Sequence, residues 1–227
     1  MCVSFIQVQN LKKNFGKVFA LNGVSVNLEA GEQYAIQGSS GSGKSTLLYL
    51  LGGLDRPSEG TIEIAGRDLS KLNDEQMAKF RNSEVGFVFQ FHFLLPSMNC
   101  LDNILLPAKI GGVSQANLKS EVENLAERLK VSHCLKKYPF ELSGGEQQRV
   151  NIIRALSLKP KILLCDEPTG NLDSENSMNV AQILKTLALD FGSTLLVVTH
   201  DNIVAKEFDN QLFMKDGLMQ DGLPALP

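Results

Sequence analysis

The chain has 227 residues, enough for one sizeable α/β domain with an appended lobe and too few for two independent domains. With 43% hydrophobic residues and a formal net charge of −3, its composition is globular and lacks the basic excess of a general nucleic-acid binder. No apolar run reaches the roughly 18 residues of a membrane span, and MCVSFIQVQNLKK has no basic leader ahead of an apolar core, so the expectation is a cytosolic protein that meets membranes only through a partner.

Residues 3–9 and 24–28 carry β-favouring residues in partial alternation, and TIEI at 61–64 repeats the pattern before an Ala65-Gly66 turn; together they predict an antiparallel patch. Phe15 sits between the first two in a polar stretch, offering an aromatic face on which a base can stack. QYAIQ (33–37) has strand length and TLLYLL (46–51) opens a helix. Between them runs Gly38, Ser39, Ser40, Gly41, Ser42, Gly43, Lys44, Ser45, Thr46, the pattern of a phosphate-binding loop in its strand–loop–helix context. Glycines let successive backbone N–H groups turn toward phosphate oxygens, and the helix start adds its positive end. Lys44 is expected to bridge the β- and γ-phosphates and Ser45 to ligate Mg²⁺, so the motif implies a nucleoside triphosphate.

LDRPSEG (54–60) is a turn-rich break, residues 75–81 read as a short helix, and VGFVFQ (85–90) reads as a buried strand. Gln90 falls at that strand's carboxyl end, where open α/β sheets receive ligands. FHFLLPSM (91–98) is unusually apolar, and Pro96 prevents a helix; it is either a buried loop or an exposed docking patch. Helices cluster from about 100 to 158, one beginning at Ser114 with Leu118, Val122, Leu125 and Leu129 on a single face. In LSGGEQQR (142–149), Ser143 takes an N-cap place and Gly144 and Gly145 leave the first-turn N–H groups bare, a second phosphate-sized anion site.

KILLCDE (161–167) predicts a buried parallel strand ending in two carboxylates. Buried acids need a cationic partner; Mg²⁺ would serve Asp166, and Glu167 would orient or deprotonate a water. Asn171 to Asp173 form a loop, and Ser174 is expected to cap a helix running to about Asp190 and stopped by Gly192. TLLVVT (194–199) is another buried strand, ending at His200, placed to hydrogen-bond a γ-phosphate. Residues 211–222 read as a hairpin around Asp216-Gly217. Cys2, Cys100, Cys134 and Cys165 are scattered, with no CxxC and no histidine at ligand spacing, so reduced thiols are expected rather than disulfides or zinc.

With the phosphate loop, Gln90, LSGGEQQR, CDE and His200 in this order, the chain resembles an ABC-type ATPase subunit over its whole length; LSGGEQQR is the distinguishing string. The resemblance implies an α/β fold: a RecA-like P-loop core with the N-terminal antiparallel β patch and an inserted helical subdomain. A single domain, 1–227, would comprise a core lobe of about 1–90 and 159–227 and a helical lobe of about 91–158. It further implies adenine stacking on Phe15, a Q-loop at Gln90 that also reaches the metal, a Walker B pair at Asp166 and Glu167, a D-loop at Asn171 to Asp173 with Asp173 at the nucleotide, and a switch histidine at His200. ATP and Mg²⁺ are the implied cofactors. The implied assembly is a head-to-tail, ATP-dependent homodimer in which Ser143, Gly144 and Gly145 of one chain cap the γ-phosphate held by Gly43, Lys44 and Ser45 of the other. Integral membrane permease subunits would be met near Phe91–Met98, at the cytoplasmic face of the inner membrane.

More narrowly, STLLYLLGGLDRPSEG, GFVFQFHFLLP, DEPTGNLDS and LVVTHD are similar to ATP-binding subunits of Lol-type lipoprotein-releasing systems, a subgroup shared with tripartite macrolide exporters and the cell-division ATPase. Asn151, Ile153 and Cys165 depart from the usual small residues or alanine. The implied function is an ATP-hydrolysing motor for lipoprotein release; the other reading is a related macrolide-exporter-type ATPase or a cell-division one that transmits force to cell-wall hydrolases. A nucleic-acid role would require a long coiled-coil insertion or a second ATPase, and each motif occurs once.

Overall fold

The structure is a computed structural model and describes residues 4–170 and 172–220. The chain opens with β1 (Ile6–Phe15), β2 (Val18–Leu28), β3 (Gln33–Gln37), α1 (Lys44–Leu51), β4 (Glu59–Ile64), β5 (Arg67–Asp68), α2 (Asp74–Glu84) and β6 (Val85–Phe89). A helical stretch follows: α3 (Cys100–Gly111), α4 (Gln115–Arg128) and α5 (Gly144–Leu156). Strand and helix then alternate through β7 (Ile162–Asp166), α6 (Ser174–Phe191), β8 (Thr194–Val198) and α7 (Asn202–Ala205), before the hairpin of β9 (Asn210–Lys215) and β10 (Leu218–Gln220).

Two sheets result. One is antiparallel, in the order β2-β1-β4-β5, and the other runs β10-β9-β3-β8-β7-β6, parallel except for the terminal hairpin. Every residue of β3, β7 and β8 is buried, because both faces of the larger sheet are covered. The two-residue period of a strand then sends alternate side chains to opposite cores. Leu163, Cys165, Leu195 and Val197 join one cluster with α3, α4, α5 and α6; Ile162, Leu164, Leu196 and Val198 join another with α1 and the antiparallel sheet. At about 1.5–3 kcal/mol per fully buried aliphatic side chain, these strands form a stiff platform. Their carboxyl ends carry Gln37, Asp166 and Val198, so the loops that follow all leave the same edge.

The sequence predicts shorter pieces than the first hairpin has. Segments 3–9 and 24–28 fall within two strands of 10 and 11 residues, joined through Gly16 at φ 62. Register shifts at Val8/Leu11, Leu11/Lys12 and Lys13/Asn14 disturb the alternation, which is why only its regular ends read as strand. The α6 cap is Asp173, accepting from Asn176 N at 2.9 Å, and not Ser174, its first helical residue. Gly192 does end that helix, at φ 64. Ser114 is the N-cap of α4 without a side-chain cap bond, and Val122, Leu125 and Leu129 are buried as its periodicity predicts. The 211–222 hairpin turns at Asp216 (φ 50) and Gly217 (φ 74); its last two residues, with Cys2 and Asn171, lie outside the described residues. Among the described residues, no helix is long and apolar enough to cross a membrane.

Candidate nucleotide site

Strand β3 is the hinge of the site. After Gln37 the chain turns back on itself at Gly38 (φ 152), Gly41 (φ 79) and Gly43 (φ 99) before entering α1 at Lys44. Two of these glycines are demanded by space as well as by φ: a Cβ on Gly38 would run into the Met214 carbonyl, and one on Gly43 into the Ala20 carbonyl. Lys44 is buried and folds over the loop, donating to the carbonyls of Gly38 and Ser39 at 2.9 Å each. The loop thus holds its cation against two of its own carbonyls. Ser42 is buried beneath it, and its Oγ has no hydrogen-bond partner among the described residues.

A cavity of about 750 Å³, ample for a nucleotide, opens over this loop. Ser40, Gly41, Gly43, Lys44, Ser45 and Thr46 form its floor, and Gln90, Glu167 and His200 one side. Phe15, Val18, Phe19 and Ala20 form the other. The sequence reading expects Phe15 here but not its three neighbours, since the hairpin that presents Val18 and Phe19 has its bulges where the pattern was unreadable. All three large apolar side chains are more than half exposed, an apolar wall at the polar end of the site. Lys13 Nζ lies 5.0 Å from the Phe15 ring centroid, so a cation already occupies one face of that ring.

Behind the floor, Asp166 ends β7 only 8% exposed. Its carboxylate accepts Ser45 Oγ on Oδ1 and Tyr49 OH on Oδ2, both at 2.8 Å. Burial, then the bond to Asp166, raises the Tyr49 phenol to about 12. The sequence pattern marks Tyr49 only as part of a helix; one turn beyond Ser45, it is the second donor fixing the carboxylate.

Glu167 follows in the left-handed region at φ 48, its N–H held by Val198 O at 3.0 Å. This unusual backbone turns the side chain from the sheet edge into the cavity. Its Oε2 meets His200 Nδ1 at 2.9 Å, so the residues just beyond β7 and β8 are joined as an acid–imidazole pair. Gln90 lies against Gly170, where a Cβ would come within 2.7 Å of its Nε2.

The remaining predicted site residues lie elsewhere. Ser143 caps α5, and its N–H and Oγ both donate to Glu146 Oε2, at 2.8 and 2.7 Å. Glu146 is held down to about 2 by those Ser143 bonds first and by His133 next. Around Gly144 nothing stands within 4 Å of a Cβ position, so the first turn is open to an approaching group. Neither Ser143, Gly144 and Gly145 nor Asp173 lines the cavity over the phosphate loop. One chain therefore presents the cavity over the phosphate loop and the open helix start at Ser143 as two separate surfaces.

Two residues missed in the sequence organise the segment after Gln90. Buried Asn103 donates to the carbonyls of Leu95, Met98 and Asn99 at 3.0 Å and accepts from Leu95 N at 2.7 Å. Arg154 donates to the carbonyls of Phe93 and His92 at 2.7 Å and to Asn151 Oδ1 at 2.8 Å, and burial lowers its guanidinium to about 10. Asn151 thus has work to do in α5: its amide also reaches Phe89 O at 3.4 Å. With the backbone so tethered, Phe91 and Phe93 stand 64% and 63% exposed, so the segment is not a buried loop.

The family profile described as ABC transporter matches residues 21–170. The chain is 46% identical over 221 residues to the lipoprotein-releasing system ATP-binding protein LolD of Shewanella frigidimarina, covering 96% of this chain and 92% of that protein. To the LolD of Geobacter metallireducens it is 43% identical over 218 residues, covering 94% and 97%. Among solved structures, the dimeric structure of MJ0796, a bacterial ABC transporter cassette, superposes with a TM-score of 0.87 at 37% identity, covering 95% and 97% of the two chains. A post-hydrolysis dimer of the same cassette bound to ADP and Pi gives 0.86 at 36%. Phosphate loop, paired carboxylate strand end and capped glycine helix start thus sit on a shared scaffold, and the chain belongs to the ABC transporter family as an ATP-binding, ATP-hydrolysing domain.

Proposed function

We propose that the chain is the motor subunit of a bacterial inner-membrane ABC system, peripheral at the cytoplasmic face, and that its work is the release of lipoproteins from that membrane for transport to the outer membrane. The observation that carries this reading is the near full-length similarity to proteins named for lipoprotein release, at 42–46% identity.

Adenine would rest on the Phe15, Val18 and Phe19 wall, and the triphosphate over residues 38–46, with Lys44 exchanging its loop carbonyls for phosphate oxygens. Ser45, Asp166 and Gln90 would hold Mg²⁺. Their hard oxygen donors suit it, and Ser45 Oγ and Asp166 Oδ1 already meet. Bound there, the ion would draw charge from the β- and γ-phosphates. Glu167 orients the attacking water, and His200 holds that carboxylate in place and faces the γ-phosphate. Ser143, Gly144, Gly145 and Asp173 act on the nucleotide of a second copy in a head-to-tail dimer; the separation of the two phosphate-seeking surfaces within one chain supports that arrangement. Residues 91–98 meet the permease. The lobes divide at about 90 and 159, the helical lobe carrying Ser143.

Glu167→Gln should lower turnover by at least about a hundredfold and shift the protein from monomer to dimer on size exclusion with ATP; undiminished hydrolysis removes Glu167 from its role. Tagged protein recovered from detergent-solubilised membranes should bring a permease together with lipoprotein. Recovery of a permease that binds cell-wall hydrolases instead would overturn the lipoprotein reading and leave the ATPase chemistry intact.

A further inference from the structure

Sequence spacing gives no reason to look for a soft-metal site, but folding brings an imidazole, a thiol and a carboxylate together outside the nucleotide cavity. A 3-10 turn over Ser132–Cys134 packs beside the first turn of α5. There His133 Nε2 lies 2.8 Å from Glu146 Oε1, Cys134 Sγ 3.4 Å from His133 Nε2, and Cys134 Sγ 3.5 Å from Glu146 Oε1. Imidazole nitrogen, thiol sulfur and carboxylate oxygen thus form a closed triangle, the one such group among the described residues.

We propose that His133, Cys134 and Glu146 bind a thiophilic divalent transition metal of the zinc class. Tetrahedral bonds of about 2.0–2.3 Å to N, O and S separate the ligand atoms by about 3.3–3.6 Å, so the triangle needs to open only along its His133–Glu146 edge. The Cys134 proton goes to solvent, the single proton of the neutral His133 ring sits on Nδ1, moving there from Nε2 where Nε2 carried it, and thiolate plus carboxylate neutralise the ion. The carboxylate is oriented in advance: Oε2 is held by Ser143 N and Oγ, leaving Oε1 for the metal, as outer-shell donors orient metal-bound carboxylates. Cys134 is fully buried, whereas the His133 side chain is 57% exposed, which provides an entry path and a fourth position for water. Sulfur and imidazole ligands favour zinc or cobalt over Mg²⁺, separating this site from the oxygen donors at Ser45 and Asp166. The metal would tie the 3-10 turn to the helix that begins at Ser143.

The test is cobalt titration of the full chain, chelator-stripped, nucleotide-free and kept reduced without added thiol. A saturable one-to-one thiolate-to-cobalt charge-transfer band, displaced by Zn²⁺, is expected. Cys134→Ser should abolish it, and Cys134→Ser and His133→Ala should each weaken Zn²⁺ binding by at least about a hundredfold, more than losing an outer-shell partner does. His133 is exposed, so its removal decides the matter if the cysteine variant fails to fold. Absence of the band in the parent chain, its persistence in Cys134→Ser, or unchanged Zn²⁺ affinity in His133→Ala would overturn the site.

Discussion

Replacing Tyr49 with Phe removes one oxygen and leaves the ring. In the nucleotide-free chain that oxygen donates at 2.8 Å to an Asp166 carboxylate that is 8% exposed, so water reaches the vacated Oδ2 poorly. A hydrogen bond to a charged group contributes about 1.5–3 kcal/mol, and for a chain of this size each kcal/mol shifts Tm by about 2–4 °C. Tyr49→Phe should therefore melt about 3–12 °C lower by circular dichroism without nucleotide. In an Asp166→Asn background the same change should cost under about 1 kcal/mol, because no carboxylate remains to be stranded. The pH dependence has a definite sign. With the phenol raised to about 12 by burial and Asp166, the stabilisation is complete below the ordinary tyrosine value near 10 and is lost as pH rises toward 12, so parent and variant should converge across that interval. As the orienting partner of the carboxylate proposed to hold Mg²⁺, Tyr49 should also affect activity about 10–100-fold. Equal Tm losses in both backgrounds, or none, would refute the coupling.

Gly43→Ala should lower the affinity for a fluorescent ATP analogue at least about tenfold: at φ 99 the new methyl costs about 1–3 kcal/mol in backbone strain alone and meets the Ala20 carbonyl. Arg154→Ala should raise amide hydrogen exchange across residues 91–98 while exchange in β7 and β8 stays slow, since three bonds to that segment and Asn151 are lost; Arg154→Lys should not restore protection, because one ammonium cannot reproduce the fork. Glu146, depressed to about 2 by Ser143 and His133, contributes stability that is complete above the ordinary glutamate value near 4.5 and lost as pH falls toward 2. Urea midpoints measured from pH 5 to 2.5 should fall less steeply in Glu146→Gln.

What could be read in advance was local. The phosphate loop is a run of consecutive residues whose glycines are required by backbone shape, and the buried strands announce themselves by continuous apolar composition. The Asp173 cap was missed by one position because Asp and Ser both cap well and stand side by side. What stayed hidden depends on distant partners. Tyr49 means nothing until β7 brings a carboxylate from 117 positions away. Arg154 and Asn103 matter only because the path of residues 92–99 aims carbonyls at them. The trio at Glu146 escaped for the same reason: adjacent His133 and Cys134 match no ligand spacing until α5 supplies the third atom.

Strand β6 lies at the margin of its sheet, hydrogen-bonded to β7 alone, while β3, β7 and β8 each have neighbours on both sides. A load applied at residues 91–98 therefore passes into that one ladder, where Phe89 pairs with Asp166, and through the Asn103 and Arg154 bonds into α3 and α5. The segment offered to another protein is thus joined through one strand pairing to the strand end that carries Asp166 and Glu167. In engineering terms the output shaft is geared to the combustion chamber through a single tooth, the Phe89–Asp166 pairing, so displacement at one is felt at the other.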